Sequence, residues 1–319
     1  MTNDDALFSD QDVPGVIPTR PHAGPAAGSL LPGVAEWFSR QSNLENRFSS
    51  ALRQSIDEVL DGQRTGRYDV DDLEKTEKTY LGTKVEIVCR AEFGLGHGEK
   101  IDYRVSGVEV DSKFSLTGQW MIPREAMGHI CLLMAADDKK STFSAGLVEI
   151  SEEILTRGGN QDGKRSISKA GRDSIRWLFR GSHLRENLIL QLDPGTRNAI
   201  MSIAAGQGRV DELFRSVQGK VVDRNAVVTA GKQLDAPKRV RDSRKRLASE
   251  GVIILGHQNE SPRIINSLEL PAPSKGEWVS VRVVPAHPGE DVPKFSSHGI
   301  EYRVAEPGDL MSPAPIIQY

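Results

Sequence analysis

The stretch KIDYRVSGVEVDSKFS, Lys100–Ser115, decides the fold of the first half of the chain. Its apolar and polar residues alternate, which predicts two short β-strands. Ser106 and Gly107 stand between them and have the residue types of a two-residue turn. The stretch therefore predicts a tight β-hairpin, and its charged residues need an explanation.

Alternation puts Asp111 and Lys113 on one face of the second strand. The turn folds the first strand back, so that Asp102 comes to lie beside Asp111, at the roughly 5 Å spacing of cross-strand neighbours. Two such carboxylates repel unless a proton or a cation compensates them. Mg²⁺ prefers oxygen ligands and binds through one or two carboxylates plus substrate phosphate. A nearby lysine can orient or deprotonate water and offset developing charge, so the hairpin predicts phosphodiester hydrolysis.

An aspartate, eight intervening residues and then Asp-x-Lys is the spacing of the PD-(D/E)xK metal-nuclease motif, although Ile101 replaces the customary proline. Glu86, on a helix predicted for Thr79–Phe93, is the candidate third acid of the metal cluster. We thus predict Glu86, Asp102, Asp111 and Lys113 as catalytic residues, the three acids also being metal ligands. The alternative is a surface hairpin with a weak Asp–Lys ion pair, which spacing alone favours.

Length and composition restrict the class of protein. A chain of 319 residues exceeds the roughly 250 residues of a single core, which predicts two domains. Cys89 and Cys131 cannot form a disulfide framework and have no zinc spacing, so any metal is expected on oxygen ligands. The longest apolar run, His129–Ala136, is far below the ~18 residues of a membrane span. With no signal peptide at its start, the chain is expected to be cytoplasmic, without membrane contact.

Charge is distributed unevenly along the chain. Lys164–Glu250 carries 19 Lys and Arg against 9 Asp and Glu, a net +10, so the remainder of this chain of net charge −3 carries −13. Such a segment suggests a polyanionic partner, or alternatively a set of solvated helix faces.

The order of elements predicts an α/β protein in four parts. Residues 1–41, rich in Pro and Gly, are predicted to be a flexible arm. A helix beginning at Asn43 opens a mixed-sheet nuclease domain at 42–157. Residues 158–168, which overlap the glycine-rich TRGGNQDGKRS at 156–166, are predicted to be a linker. Residues 169–319 form the predicted second, mainly helical domain.

The stretch DAPKRVRDSRKRLASEG, 235–251, predicts a helix with Asp235 as N-cap and Gly251 as its stop. Its apolar residues fall on one side, and its cations largely on the other. Two helices precede it and two apolar strands follow, which is the order of a winged helix whose third helix enters the DNA major groove. The predicted DNA-binding residues are Lys238, Arg239, Arg241, Arg244 and Lys245; the alternative is a solvated basic helix.

A series of further motifs lies between about residues 50 and 285, namely DGQRTGRY (61–68), KTEKT (75–79), VEI (85–87), DY (102–103), GVEVDSKFS (107–115), WMIPREAMGHICLL (120–133), AGLV (145–148), IRWLFR (175–180), ELFR (212–215), KRVR (238–241) and GVIILGH (251–257). Over this range the chain resembles the NaeI-type (type IIE) restriction endonucleases.

This resemblance implies a Mg²⁺-dependent homodimer that cuts both strands of double-stranded DNA at a palindrome. The site of the family's namesake is GCCGGC. It further implies a restriction-endonuclease-like nuclease domain, a second domain related to catabolite-activator helix-turn-helix folds, and activation by a second bound duplex. Glu86, Asp102, Asp111 and Lys113 match the family's catalytic set.

Two other functions remain open at this stage. A repair or mobile-element nuclease would share the same site without a sharp palindromic preference. A noncatalytic winged-helix regulator would carry a relic nuclease domain with its acidic residues displaced.

Overall fold

The computed structural model describes residues 28–319, which divide into two compact units. Unit 1 contains residues 28–59 and 69–187, and unit 2 contains residues 60–68 and 188–319. The boundary thus falls after Asn187 and not in the predicted linker at 158–168. The reason is that strands formed by 165–166 and 176–183 pair with strands of unit 1.

The described residues form ten α-helices and thirteen strands, as expected for a chain of the α/β class. In chain order the helices are α1 Leu31–Ser39, α2 Leu44–Leu60, α3 Gly62–Thr65, α4 Lys75–Phe93, α5 Leu188–Gln191, α6 Pro194–Met201, α7 Gly206–Ser216, α8 Arg224–Gly231, α9 Ala236–Leu247 and α10 Ser261–Ser267.

The strands form a separate sheet system in each unit. They are β1 Gly96–His97, β2 Tyr103–Val105, β3 Val108–Ser115, β4 Met121–Ile122, β5 Ile130–Asp137, β6 Thr142–Glu149, β7 Arg165–Ser166, β8 Arg176–His183, β9 Val221–Asp223, β10 Val252–Leu255, β11 Glu277–Pro285, β12 Lys294–Ser297 and β13 Ile300–Val304.

Helix α1 corrects the prediction of an arm over 1–41, of which residues 1–27 lie outside the described residues. Pro32 stands in its first turn, a position that tolerates proline. Leu31, Val34 and Phe38 are buried along one side, at the spacing of an amphipathic helix. The Phe38 ring packs edge-on against Phe93, with centroids 5.9 Å apart. This short apolar stripe is therefore part of the core of unit 1.

Unit 1 is built on a six-stranded sheet in the order β1-β2-β3-β5-β6-β8. The pair β3–β5 is parallel and the other neighbours are antiparallel, which confirms a mixed-sheet α/β core. Buried apolar residues fill β5 along almost its whole length, as expected for a central strand. The separate β4–β7 ribbon contributes to the cluster that covers one face of the sheet.

The hairpin forms as predicted. Strands β2 and β3 are antiparallel, with Val105 opposite Val108. The two residues between them have positive φ angles, 49° at Ser106 and 82° at Gly107. Positive φ at both central positions is the geometry of the type I′ turn, which matches the twist of the strands that it joins.

Helix α4 begins at Lys75, four residues before the predicted Thr79. The Glu77 carboxylate accepts a hydrogen bond from the Glu74 backbone N–H, at 2.9 Å, and so satisfies a donor at the start of the helix. The helix ends at Gly94, whose φ of 62° is left-handed.

Unit 2 has the element order helix α7, strand β9, helices α8 and α9, then strands β10 and β11. Strand β11 lies between β9 and β10 and pairs antiparallel with both. The Asp235 side chain accepts from the Lys238 N–H at 3.0 Å, and Gly251 follows the last turn with φ 79°. Start and stop signals of α9 therefore act as predicted.

Across residues 28–319, no helix combines the length and the apolar character needed to cross a bilayer.

The turn gives a test of the hairpin geometry. Ser106→Asn should raise the free energy of unfolding by about 0.5–1 kcal/mol, because Asn-Gly is the preferred type I′ pair and Asn tolerates positive φ. Urea denaturation followed by tryptophan fluorescence measures it, since Trp37, Trp120 and Trp177, three of the four tryptophans, lie in unit 1.

Gly107→Ala is the opposite control. Its added Cβ meets no atom within 4 Å, so only the φ of 82° opposes the substitution. We expect a loss of about 1–2 kcal/mol. A Ser106→Asn variant less stable than the parent would contradict the assigned turn.

Candidate active site

The hairpin register brings Asp102 beside β3. Asp102 directly precedes β2, and its Oδ2 accepts a hydrogen bond from the Ser112 backbone N–H at 2.7 Å. Tyr103, the next residue, faces away: its hydroxyl donates to the Glu86 carbonyl at 3.0 Å and accepts from the Ser112 hydroxyl, with an O–O distance of 3.1 Å. The hydrogen bond from the Ser112 N–H therefore holds the Asp102 carboxylate beside Ser112 of β3, close to Asp111.

Asp111 is a buried carboxylate with a charged partner. It is only 5% exposed, and its Oδ2 lies 2.6 Å from Lys113 Nζ. The Lys113 ammonium also donates to the Ser112 carbonyl at 3.1 Å. Burial of an unpaired carboxylate is costly, so the ion pair is what allows Asp111 to sit inside the sheet. The two side chains share a face, as their spacing in the strand predicted.

Cys131 is a neighbour that sequence reasoning missed. Parallel pairing of β3 and β5 sets it opposite Asp111, and its Sγ donates to Asp111 Oδ2 at 3.4 Å. Burial first, and next the charge of Asp111, raises the pKa of the Cys131 thiol well above its usual range. The thiol thus keeps its proton and acts as a weak donor. No local pattern in the sequence signals this contact, because it depends on which strand pairs with β3.

Asp102 has no such cationic partner, and its pKa reflects this. Burial raises the pKa of Asp102 from its ordinary 3.8 to about 6, while the Ser112 N–H opposes the rise. The negative charges of Asp111 and Glu86 add to it, and the Lys113 charge opposes it. A carboxyl with a raised pKa beside a second carboxylate has an uncompensated charge, which a proton or a bound cation would stabilise.

Glu86 is near the cluster but engaged elsewhere. Its Oε1 accepts a close hydrogen bond from Arg90, one turn later on α4. Among residues 28–319, no group of three or more His, Cys, Asp or Glu side chains is arranged to hold a metal ion. The structure therefore brings together Asp102, Asp111 and Lys113, and it does not assemble the predicted three-acid cluster that includes Glu86.

The two remaining carboxylates still suit a hard cation. Asp102 and Asp111 supply oxygen donors only, and Mg²⁺ needs no more than one or two protein carboxylates when water and phosphate complete its shell. The adjacent Lys113 ammonium adds positive charge where a phosphate would sit. The donor set fits Mg²⁺, with Asp102 and Asp111 as the residues that would hold it.

The predicted DNA-binding residues of α9 fall into two groups. Lys238, Arg241 and Lys245 are exposed, on the side opposite buried Val240 and Leu247. They form a basic face with no apolar interruption.

The other two predicted residues make internal contacts. The Arg239 guanidinium lies 3.4 Å from the Asp242 carboxylate. Arg244 donates to the Ile254 carbonyl at 2.8 Å and stacks 3.9 Å above the Tyr319 ring. Burial lowers the pKa of Arg244 to about 10. Arg244 therefore holds the C-terminal residue of unit 2 in place and is less suited to contact DNA.

Comparison with known proteins identifies the family of this chain. The model of the family described as restriction endonuclease NaeI matches residues 33–313, which include the hairpin, α4 and α9. The chain belongs to the NaeI restriction endonuclease family. The match covers both units, so unit 2 is part of what defines a NaeI-family chain. The predicted class of enzyme, a type II site-specific deoxyribonuclease, is confirmed at the level of the family.

A curated relative supports the same assignment. The type II restriction enzyme NaeI of Lentzea aerocolonigenes is 43% identical over 284 residues, which cover 85% of this chain and 89% of that enzyme. The NaeI-family resemblance inferred from scattered motifs thus extends over most of the chain.

The raised pKa of Asp102 predicts a pH-dependent stability. The folded chain holds this proton more tightly than the unfolded chain does, so ionisation of Asp102 destabilises the fold. The loss of folding free energy that ionisation of Asp102 causes is absent below about pH 4 and complete above about pH 6. In EDTA at pH 8, Asp102→Asn should raise Tm by about 2–4 °C. In a separate measurement, added Mg²⁺ should raise the Tm of the unsubstituted chain but not the Tm of Asp102→Asn.

Asp71→Asn is the matched control. The hydrogen bond from Lys139 lowers the pKa of Asp71, so this substitution should not raise Tm at pH 8. An equal gain in Tm for Asp102→Asn at pH 4 and at pH 8 would show that ionisation of Asp102 is not the cause.

Proposed function

We propose that this chain is a Mg²⁺-dependent type II restriction endonuclease that cuts both strands of DNA at a GC-rich palindrome. The observation that carries the proposal is the convergence of Asp102, Asp111 and Lys113 in a chain of the NaeI family. The repair-nuclease and regulator alternatives predict, respectively, no sharp sequence preference and a displaced acidic pair. The second of these is disfavoured by the ordered contacts of Asp102 and Asp111.

The two aspartates divide the work of binding and charge. Asp102 and Asp111 hold the cation, which when bound would supply Lewis-acid charge to the scissile phosphate. Asp111 also anchors the Lys113 ammonium at 2.6 Å, and so aims it at the same place. Glu86 joins through water, because its carboxylate is paired with Arg90.

Lys113 acts on the nucleophile and on the phosphate. In hydrolysis, the oxygen of a water molecule bonds to phosphorus, one P–O bond to the sugar breaks, and the leaving oxygen takes up a proton. As the cationic member of an ion pair, Lys113 can donate hydrogen bonds that orient the phosphate and offset its growing negative charge. The buried position of Asp111 strengthens these interactions, because little water screens them.

We infer that unit 2 is a winged helix that presents α9 to the DNA major groove. Support comes from its order of helix, strand, helix, helix, strand, strand, with β11 between β9 and β10. A buried network also fixes α9 against α7: Gln207 donates to Ser243 Oγ at 2.9 Å, and Ser243 donates to Asp211 at 2.6 Å. A helix held in this way keeps its exposed cations in one orientation, which suits recognition of a rigid duplex.

The remaining parts of the proposal come from the family. We propose a homodimer that binds two duplexes, one of which activates cleavage of the other, and a cytoplasmic location beside the DNA substrate. The proposed target is GCCGGC, the site of the family's namesake. Sequencing the ends left after digestion of a mixed DNA pool tests the target, and comparing plasmids with one and two sites tests the activation.

Asp111→Asn tests the catalytic assignment with little change in shape. Loss of the carboxylate charge should lower the rate of Mg²⁺-dependent plasmid cleavage by about a hundred-fold or more, by analogy with loss of one strong electrostatic group. Binding of a duplex in EDTA should remain measurable. Asp137→Asn, at the far end of β5, is the control and should cut at the parent rate. Unchanged cleavage by Asp111→Asn would exclude the proposed site.

Lys238→Ala combined with Arg241→Ala tests the basic face of α9. If both cations contact phosphates, the slope of log affinity against log salt should become shallower by about 1.8, at roughly 0.9 per contact. Fluorescence anisotropy of a labelled duplex measures the slope. Lys220→Ala with Lys294→Ala removes the same charge from unit 2 outside α9, and equal slopes for the two pairs would refute the role of α9.

A further inference from the structure

The stretch that composition assigns to a linker is a folded loop of unit 1. Thr156 N–H donates to the Ser166 carbonyl at 2.8 Å, where the loop leaves the sheet. At its tip, the Asn160 side chain accepts from the backbone N–H groups of Asp162, at 3.1 Å, and Lys164, at 2.9 Å. Asn160 thus stabilises a turn from within, which is why a glycine-rich sequence holds one conformation here.

This loop forms one wall of a cavity of about 600 Å³. Pro123 and Arg124, just after β4, form the facing wall, and Gly163 opens the space between them. A Cβ atom at Gly163 would come within 3.3 Å of Arg124 Nε, so glycine leaves room for that guanidinium. Pairing of β4 with β7 holds the two walls together, with Ile122 opposite Arg165.

The lining of the cavity is basic. Arg124, Arg157 and Arg165 line it, against a single carboxylate, Glu152. Arg165 pairs with Glu152 and donates to the Thr156 carbonyl at 2.6 Å, so it belongs to the wall. Within residues 28–319, Arg124 and Arg157 have neither an ion pair nor a hydrogen-bond acceptor, and both are exposed. Two guanidinium groups thus line one cavity with their donors unused.

The cavity and the candidate active site rest on one hydrophobic cluster. Ile122 and Leu155, which form the apolar floor of the cavity, belong to the same buried cluster as Cys131. Cys131 in turn donates to Asp111. The cavity therefore lies on the face of the unit 1 sheet that carries Asp111 and Lys113.

We propose that Arg124 and Arg157 bind phosphodiester groups of the duplex that is cut at Asp111, outside the scissile position. Guanidinium groups bind phosphate oxygens through paired, charge-assisted hydrogen bonds, and phosphates placed along the cut duplex are the anions that this face meets. This inference rests on the proposed nuclease function. It assigns to the nuclease unit its own phosphate contacts, separate from those of α9.

The test measures binding without catalysis. A labelled duplex is titrated by fluorescence anisotropy in EDTA, between 50 and 200 mM salt. The starting protein is the Lys238→Ala/Arg241→Ala variant, in which unit 2 contributes less to binding. Adding Arg124→Ala/Arg157→Ala to this variant should reduce the slope of log affinity against log salt by about 1.8. The ratio of the affinity before to the affinity after the two arginine substitutions should then change about twelve-fold across this range of salt.

Two further variants separate charge from fold and from general electrostatics. Arg124→Lys/Arg157→Lys should keep the slope, because lysine also binds phosphate. Arg40→Ala/Lys140→Ala removes two exposed cations, one directly after α1 and one in the turn after β5, and should change the slope by less than about 0.5. Equal slopes for the Arg124/Arg157 and Arg40/Lys140 pairs overturn the proposal, as does a loss of affinity with an unchanged slope.

A cleavage assay keeps the two proposals distinguishable. In Mg²⁺, with α9 intact, Arg124→Ala/Arg157→Ala should raise KM about ten-fold and leave kcat within about three-fold, because the arginines bind DNA away from the scissile bond. If the unsubstituted chain binds DNA but does not cut it, the nuclease function alone is refuted. If the unsubstituted chain cuts DNA and Arg124→Ala/Arg157→Ala leaves KM unchanged, the phosphate contacts alone are refuted.

Discussion

The active-site geometry depends on the register of one hairpin. A turn of two residues with positive φ permits only one pairing of β2 with β3, and that pairing sets Asp102 beside Asp111. A slip of one residue would turn Asp111 and Lys113 to the opposite face of the sheet. The parallel pairing of β3 with β5 then completes the site by placing Cys131 next to Asp111. Local chain geometry and one nonlocal pairing together define the chemistry.

The two aspartates illustrate opposite treatments of buried charge. Asp111 is compensated within the protein by Lys113 and Cys131, so it is stable without any ligand. Asp102 accepts one backbone hydrogen bond and has no ion pair among the described residues. Burial without such a partner raises the pKa of Asp102. In the proposed mechanism, a cation would compensate Asp102 and a phosphate would meet Lys113, with little reorganisation when substrate arrives.

Features that depend on local sequence could be predicted, and features that depend on distant pairing could not. The turn at Ser106 and the limits of α9 follow from residues within a few positions of each other. The boundary after Asn187 could not be predicted, because a loop held by the Asn160 side chain has the composition of a linker. The position of Cys131 could not be predicted, because it depends on strand order. The engagement of Glu86 was open to prediction, because Arg90 follows it by four residues on the same helix, which is the spacing of a helical ion pair.

Residues 60–68 belong to unit 2, although the chain on both sides of them belongs to unit 1. Helix α3 within this segment packs so closely on α8 that a Cβ atom at Gly62 would lie 2.2 Å from Thr229 Oγ1. Unit 2 is thus discontinuous along the chain. At about 5–20 residues per second, a ribosome makes α8 roughly 8–30 s after Tyr68. During synthesis, therefore, unit 1 has all of its residues before α3 has its partner, and the chain completes unit 1 first.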